Sequence, residues 1–329
     1  MPIGTILMAM YGQGKTRGQV AILGIEATTN QANANIVVHN GVNNYFVYHQ
    51  LVKNYLTTRA SANEGGQANL SLGIVKELQI SFTENQAEQI AIGTFFRTLD
   101  NIIAATQRQI TLLKQLKAAY LQQMFPQAGE RVPRVRFGGF SGDWEEMKLG
   151  EIADIIGGGT PDTSITEYWS GEIDWYSPVE IGEQIYVDGS QKKITKLGLQ
   201  KSSAKVLPVG TVLFTSRAGI GNTAILKKEG ATNQGFQSIV PCRDMLDTYF
   251  IFSRTNELKR FGETNGAGST FIEVSGKQMS NMLIAVPTLQ EQVTIGNFFC
   301  KLDTQIVSQS EKIDKLKQIK TAYLQKMFV

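Results

Sequence analysis

Two stretches of the chain carry apolar side chains at alternating spacings of four and three residues. Spacing that averages 3.5 residues is typical of helices that pack along a heptad stripe. Neither stretch contains glycine or proline beyond its first turns, and Pro126 follows the first stretch where a helix should end. The heptad positions are Leu99, Ile103, Thr106, Ile110, Leu113, Lys117, Tyr120 and Met124 in the first stretch, and Leu302, Ile306, Gln309, Ile313, Leu316, Lys320, Tyr323 and Met327 in the second. The pattern predicts two long helices, over residues 83–126 and 288–329.

The two stretches are copies of each other. EQIAIGTFFRTLD begins at Glu88 and EQVTIGNFFCKLD begins at Glu291, an offset of 203 residues that continues without a gap to QQMF and QKMF. Two further matches lie upstream: GTIL at Gly4 with GTVL at Gly210, and TNQANANIV at Thr29 with TNQGFQSIV at Thr232. The chain is therefore a tandem of one module, with the globular part first and the helix second. Matching heptads predict that the two helices pair antiparallel; the alternative is that each helix packs separately on its own globular part.

The globular parts, 1–82 and 144–287, combine strand and helix patterns. Short β-branched runs between glycine-containing turns predict strands at 210–216, 223–227 and 236–241, and 248–261 is predicted to be helical. Residues 127–143 have the proline, glycine and charge of a linker. The predicted fold class is α+β, with two globular domains joined by the long helices.

Composition narrows the class of protein. A chain of 329 residues with 42% hydrophobic and 19% charged residues is long enough for two folded domains. It has no run of ~20 apolar residues and no convincing signal peptide, so we expect a cytoplasmic protein without a membrane span. Cys242 and Cys300 lie far apart in apolar contexts, which favours buried thiols over a disulfide or metal site. The net charge of +3 permits nucleic-acid binding through local patches.

Motifs for catalysis are missing. Gly12, Gly14, Lys15 and Thr16 do not complete a phosphate loop, because Ala9 occupies the position of its first glycine. His39 and His49 have no clustered cysteine or carboxylate in the sequence, which argues against a metal site. The Asn/Asp-Pro-Pro-aromatic signature of adenine methyltransferases does not occur. We therefore predict no catalytic residue, no metal ligand and no cofactor in this chain.

The tandem layout resembles the DNA-specificity subunits of type I restriction-modification systems. In that family two variable target-recognition domains are each followed by a near-identical long helix that ends in a phrase such as KAAYLQQMF. Further family phrases are DWEEMKLGEIADIIGGGTP at 143–161, SRAGIGNTAIL at 216–226 and ATNQGF at 231–236. The resemblance covers nearly the whole chain.

The resemblance implies a non-catalytic reader of double-stranded DNA. Each target-recognition domain would read one half of a split site, and the helices would set the spacing and dock methyltransferase subunits and a restriction subunit. The assembled complex would use S-adenosylmethionine, ATP and magnesium, none of them bound by this chain. The alternative is an assembly protein built on tandem helices without DNA specificity.

One departure from the family pattern concerns the first domain. About 66 residues separate Trp144 from Gly210 in the second domain, whereas the first begins at Gly4 without a counterpart of that segment. We therefore expect a shortened first target-recognition domain.

Cationic side chains are the candidates for contact with DNA phosphates and guanine edges. They are Lys15, Arg17, Lys53 and Arg59 in the first domain, and Lys192, Lys193, Lys196, Lys201, Lys205, Arg217, Arg254, Lys259 and Arg260 in the second. Arg217, beside a glycine-rich turn, is the favoured contact. Asn30 and Gln31 recur as Asn233 and Gln234, which favours a structural turn, because base readers should differ between domains. The candidates for helix pairing and partner binding are Leu99, Ile103, Ile110, Leu113, Tyr120, Met124, Leu302, Ile306, Ile313, Leu316, Tyr323 and Met327.

Overall fold

The computed structural model describes residues 1–12, 15–62, 69–217, 219–267 and 272–328, so Gly14 lies outside the described residues. Across those ranges no helix is long and apolar enough to cross a membrane. The chain forms two compact units: unit 1 contains Met1–Leu112 and Ile306–Val329, and unit 2 contains Leu113–Gln305. Each unit therefore includes the first part of its own long helix and the last part of the other. This division excludes separate packing of each helix on its own globular part.

Unit 1 contains a small antiparallel sheet followed by helices. Its elements are β1 (Ile6–Ala9), β2 (Val20–Ile22), β3 (Asn33–Ile36), α1 (Asn44–Lys53), α2 (Tyr55–Ala60), α3 (Leu72–Lys76) and the first part of the long helix α4 (Gln86–Gln123). The strand order is β2–β1–β3, with Ile6 opposite both Ile22 and Ile36. The core of unit 1 packs β1 against α1, α4 and the end of the second long helix, through the buried residues Ile6, Met8, Phe46, Phe96 and Phe328.

Unit 2 contains a larger sheet and two smaller ones. Its elements are β4 (Glu145–Lys148), α5 (Leu149–Ile152), β5 (Ala153–Gly157), β6 (Trp169–Tyr176), β7 (Tyr186–Val187), β8 (Lys192–Ile194), α6 (Lys196–Gln200), β9 (Val212–Phe214), β10 (Thr223–Leu226), β11 (Ala231–Thr232), β12 (Gln237–Pro241), α7 (Thr248–Ser253), α8 (Thr255–Asn265), α9 (Gly276–Ser280), β13 (Leu283–Val286) and the first part of α10 (Leu289–Met327). The strand orders are β5–β12–β9–β10–β7, β11–β6–β8 and β13–β4. The strands predicted at 210–216, 223–227 and 236–241 are confirmed as β9, β10 and β12. The helical structure predicted at 248–261 is confirmed, and it is divided at Arg254 into α7 and α8.

The module repeat is visible in the contacts that join each sheet to its long helix. In unit 1 the Asn43 side chain caps α1, and the Asn43 amide donates to Gln89 of α4 over 3.0 Å. A Cβ atom at Gly93 would lie 2.4 Å from the Asn43 side-chain oxygen, so only glycine fits this helix position. The same contacts recur in unit 2 at Asp247, Gln292 and Gly296.

The two sheets differ at their outer edges. β1 with its neighbours β2 and β3 matches β9 with its neighbours β10 and β12. In unit 2, β5 pairs with the outer edge of β12, and β7 pairs with the outer edge of β10. The described part of unit 1 has no strand at either place. In unit 2, β5 and β7 lie between Trp144 and Gly210.

Candidate nucleic-acid interface

A loop and a helix meet at the same place in both units, which we call the hairpin corner. In unit 1 the loop from β1 to β2 packs against α2. The Tyr55 hydroxyl donates to the Lys15 carbonyl over 2.6 Å, and the Arg59 guanidinium donates to the same hydroxyl over 3.4 Å. Gly18, with φ +82°, brings the loop within 3.7 Å of Tyr55 and Arg59, measured from its ideal Cβ position. The corner thus holds two cationic residues beside a tyrosine.

The hairpin corner of unit 2 joins the loop from β9 to β10 with α8. Gly221, with φ +93°, approaches Lys259 so closely that a Cβ atom would lie 2.4 Å from the Lys259 Cβ. Lys259 and Glu263 are solvent-exposed one helical turn apart, with ammonium and carboxylate 4.0 Å from each other. They occupy the positions of Tyr55 and Arg59 in unit 1. The approach of a loop glycine to this helix is therefore repeated, while the side chains beside it change.

A second group of cations lies on the segment that is particular to unit 2. Lys192, Lys196, Lys201 and Lys205 are exposed along β8, α6 and the following loop. The Lys192 ammonium lies 5.9 Å from the centre of the Trp169 ring. Between residues 189 and 228 the sequence has eight lysines and arginines and no aspartate or glutamate. This continuous stretch of positive charge suits a polyanion.

Besides Lys259, further predicted contacts are held by acidic or backbone groups of the chain. The Lys193 ammonium lies 3.3 Å from Asp174, and the Arg217 guanidinium lies 3.8 Å from Glu273, both at partly exposed sites. Lys53 is half-buried, and its ammonium donates to the Phe328 carbonyl at the end of α10. Arg217 remains accessible to a ligand, whereas Lys53 has a structural partner.

The prediction that Arg254 contacts DNA is wrong. Its side chain is buried, lies over the Phe125 and Phe250 rings, and donates to Glu257 and to the Ala285 carbonyl. Burial lowers the pKa of this guanidinium, and the ion pair with Glu257 opposes that shift. Arg254 therefore stabilises the core where α7 ends.

The repeated Asn-Gln pair forms a turn in both units, as expected. The Asn30 side chain accepts from the Ala32 amide over 3.0 Å, and the Asn233 side chain accepts from the Gly235 amide over 2.7 Å. Both contacts are Asx turns, in which an asparagine side chain replaces a backbone acceptor.

The heptad positions lie on the face of each long helix that other parts of the chain cover. Leu99, Thr106, Ile110, Met124, Leu302 and Ile313 are buried, and Ile103, Leu113, Tyr120, Ile306, Leu316 and Met327 are partly buried. Tyr323 is the exception: it is 44% exposed, since its ring packs edge-on against Phe95 at the surface while Leu324 is buried. The buried positions are covered by this chain itself, so they organise the helices and are closed to a partner.

A repeated ion pair links the long helices within each unit. In unit 1, Lys320 donates to Asp100 over 2.6 Å, and Tyr323 contacts Phe95. The later residue of α10 contacts the earlier residue of α4, so the two segments are antiparallel. In unit 2 the matching contacts are Lys117 with Asp303, also over 2.6 Å, and Tyr120 with Phe298.

The remaining polar candidates have structural explanations. Cys242 and Cys300 are free and half-buried, so the expectation of fully buried thiols is only approximate. His49 is fully buried, and its two ring nitrogens lie 2.7 Å from the Tyr45 carbonyl and 3.0 Å from Asp100. The described residues contain no cluster of histidine, cysteine and carboxylate groups that fits a metal ion.

Comparison with known proteins decides the family. The family described as type I restriction modification DNA specificity domain matches residues 1–115 and 141–318. This chain belongs to that family.

Curated members of the family are similar over part of their length. A type I restriction enzyme MjaIX specificity subunit from Methanocaldococcus jannaschii is 32% identical over 190 residues, which are 57% of this chain and 44% of that protein. The EcoR124I/EcoR124II specificity subunit from Escherichia coli is 28% identical over 250 residues, 73% of this chain and 59% of that protein. The chain thus spans between two fifths and three fifths of these specificity subunits.

Solved structures of specificity subunits share the fold. The S subunit from M. genitalium superimposes with a TM-score of 0.69 at 17% identity, covering 100% of this chain and 84% of that one. The HsdS subunit from Thermoanaerobacter tengcongensis gives a TM-score of 0.53 at 18% identity, with 81% of that chain covered. The α+β fold with two domains and long helices is therefore that of the specificity family.

Two residues of the hairpin corner were missed by the sequence reasoning. Tyr55 and Glu263 are not cations, so a search for positive charge passed over them. Aligning the helix caps Asn43 and Asp247, an offset of 204 here, matches Tyr55 with Lys259 and Arg59 with Glu263. The contrast within each pair is the signal that identifies them.

Proposed function

We propose that this chain is the DNA-specificity subunit of a type I restriction-modification complex, in which unit 1 and unit 2 each read one half of a two-part DNA site. The observation that carries the proposal is the hairpin corner, where a positive-φ glycine of the loop approaches the same position of the following helix in both units while the side chains there differ. A scaffold that repeats while its surface chemistry changes is what two readers of different sequences require.

The chemistry of the corners gives each half a base preference. An arginine fits the two acceptors of guanine in the major groove, whereas a glutamate accepts from the amino group of cytosine. Arg59 in unit 1 and Glu263 in unit 2 occupy matching positions with opposite charge. We expect the two halves to differ at the base pair that each residue faces.

The exposed lysines supply affinity without sequence preference. Lys192, Lys196, Lys201 and Lys205 contact phosphates in this proposal, and each neutralised phosphate makes binding more sensitive to salt. Arg217 is available for either a base contact or a phosphate contact in this proposal, because its guanidinium is one-third exposed beside the turn at Gly235.

Methyltransferase subunits dock on the apolar side chains that the helix pair leaves exposed. These are Ile90, Ile102, Leu112, Val307 and Ile319 in unit 1 and Leu116 in unit 2. The antiparallel helix pair sets the distance between the two readers. S-adenosylmethionine, ATP and magnesium belong to the methyltransferase and restriction subunits in this proposal, and this chain carries no catalysis.

Mapping of methylated adenines tests the proposal. The chain is co-expressed with a cognate type I methyltransferase subunit, in a bacterial host without adenine methylation. We expect one two-part motif, and no methyl transfer by the chain alone with S-adenosylmethionine. Glu263→Gln and Arg59→Lys should each change the preference at one base pair by about tenfold, and the two changes should fall in different halves.

Matched variants make the same substitutions away from the corners. Glu229→Gln lies in unit 2 past the other end of β10, and Arg108→Lys lies on the exposed face of α4. Both should leave the motif unchanged. Absence of any two-part motif with the wild-type chain contradicts the proposed function, and an intact motif in both corner variants removes the corners as readers.

A further inference from the structure

The linker between the modules binds to a defined site in unit 2. The Arg136 guanidinium forms two hydrogen bonds with the Glu291 carboxylate, over 2.7 and 2.8 Å. It also donates to the carbonyls of Gly142 and Ser141, over 2.6 and 3.2 Å. Glu291 is 1% exposed, and the paired hydrogen bonds raise the pKa of Arg136. This is a bidentate arginine-carboxylate contact in a water-excluded place, the strongest geometry for such a pair.

The linker also covers aromatic side chains of the long helices. The Phe137 ring meets Phe298 with centres 5.7 Å apart, and Phe298 meets Tyr120 at 5.1 Å. The Val135 amide donates to the Gln123 carbonyl near the end of α4 over 2.9 Å. We call Glu291, Phe298 and Tyr120 the linker site of unit 2.

Unit 1 repeats the residues of this site, and among the described residues no linker-like contact covers them. The repeat places Glu88, Phe95 and Tyr323 at the matching positions, and all three residue types are identical to their counterparts. Phe95 meets Tyr323 at 5.2 Å, as Phe298 meets Tyr120, yet Phe95 is 38% exposed and Tyr323 is 44% exposed. Glu88 is exposed and accepts from the Thr83 hydroxyl, with no arginine beside it in the described residues.

We infer that Glu88, Phe95 and Tyr323 form a docking site for an extended segment of another polypeptide that carries an arginine followed by an aromatic residue. The chemistry of the occupant is given by the linker, because an identical set of receptor groups holds Arg136 and Phe137 in unit 2. The occupant pairs its guanidinium with Glu88 and lays its aromatic ring on Phe95. The inference does not depend on DNA binding, since none of these three residues belongs to the hairpin corner.

The probe is a synthetic peptide of residues 131–144 of this chain, labelled at its amino end and added to the full-length chain. Fluorescence anisotropy should show saturable binding with one peptide per chain. Glu88→Gln in the chain, or Arg136→Gln in the peptide, should weaken binding by about tenfold or more, because either change removes the bidentate ion pair. A photoreactive phenylalanine at position 137 of the peptide should crosslink to the part of α4 around Phe95.

Controls of equal charge separate this contact from general attraction. Arg134 is largely exposed in the linker, so Arg134→Gln in the peptide should change affinity less than about twofold. Glu84→Gln, at an exposed carboxylate just before α4, should also have no effect. Peptide variants leave the protein unaltered, so misfolding cannot explain their result. The inference is overturned by a lack of saturable binding, by equal affinity of the Arg136→Gln and Arg134→Gln peptides, or by crosslinks at Phe298, which indicate exchange with the chain's own linker.

Discussion

Units 1 and 2 use the same aspartate-lysine pair to join the long helices, but they bury it differently. The Asp303 side chain in unit 2 is 7% exposed, whereas Asp100 in unit 1 is 32% exposed. Each carboxylate accepts a second hydrogen bond from the helix that follows the sheet. In unit 2 the donor is the Tyr249 hydroxyl, over 2.9 Å, and in unit 1 the partner is the His49 ring.

The second donor comes from different turns of matching helices. Tyr249 corresponds to Tyr45 by sequence register, whereas His49 corresponds to Ser253, one turn later. A carboxylate that is partly removed from water needs hydrogen-bond partners, and a donor at either of these two helix positions supplies one. The lesson is that the repeat preserves the requirement for a bond at this place while the donor residue changes.

The largest effect is expected from shortening both long helices by one heptad. Removing 106–112 and 309–315 together keeps the heptad register and leaves Asp100, Lys117, Asp303 and Lys320 in place. The helices, 38 and 39 residues long, each lose ~10 Å, equivalent to about three base pairs. If the helices set the distance between readers, the spacer of the methylated motif shifts or methylation is lost.

The shortened protein needs two controls. Deleting 106–112 alone shifts one helix against the other and should unfold the pairing in both units, which helix circular dichroism detects. Tryptophan fluorescence of the double deletion should match the wild type, because all three tryptophans lie in unit 2. An unchanged motif with an unchanged spacer in a folded double deletion contradicts the proposal that the helices set the distance between the readers.

Replacing the two aspartates tests the difference in burial directly. Asp303→Ala leaves the Lys117 ammonium and the buried Tyr249 hydroxyl without their partner, and we expect unit 2 to lose ~3–5 kcal/mol of unfolding free energy. Asp100→Ala should cost unit 1 ~1–3 kcal/mol, since water reaches that carboxylate. Urea titration followed by tryptophan fluorescence reports on unit 2, and hydrogen exchange in the first part of α4 reports on unit 1. Equal losses in both units show that burial does not decide the strength of the pair.

Much of this architecture follows from the sequence because the module occurs twice. The helices, their heptad positions and the strands β9, β10 and β12 are marked by periodicity and by the offset of 203 residues. Tyr323 occupies a heptad position and is nevertheless 44% exposed, whereas Tyr120 at the matching position is partly buried. The heptad pattern is the same in both copies, so the difference comes from what packs on each helix: Phe298, which contacts Tyr120, is covered by Phe137 of the linker.

The candidate DNA contacts were less predictable, since charge in a sequence does not reveal burial. Arg254 and Arg217 look alike in the sequence, but Arg254 is 5% exposed between aromatic rings and Arg217 lies at the surface. Tertiary packing distinguishes the two arginines, and it involves Phe125, which follows the long helix of the first module. Residues of the corner without positive charge, such as Glu263, require the structural register of the two units.

The smallest expected effect is the acid sensitivity of Asp100. Burial by itself raises the pKa of this carboxyl group, but hydrogen bonds from His49 and Lys320 outweigh burial, so its pKa lies below the ordinary value of 3.8. A carboxyl group with a lowered pKa contributes stability above its ordinary pKa and loses that contribution as pH falls through the lowered value. The difference in unfolding free energy between the wild type and Asp100→Asn, ~1 kcal/mol at pH 6 for a partly exposed pair, should therefore shrink as the pH falls below about 4.

Asp314→Asn, at an exposed position of α10, controls for general charge effects and should show no such trend. Hydrogen exchange in the first part of α4 measures the difference, and a gap that stays constant down to pH 2 contradicts the assignment of this ion pair to unit 1 stability.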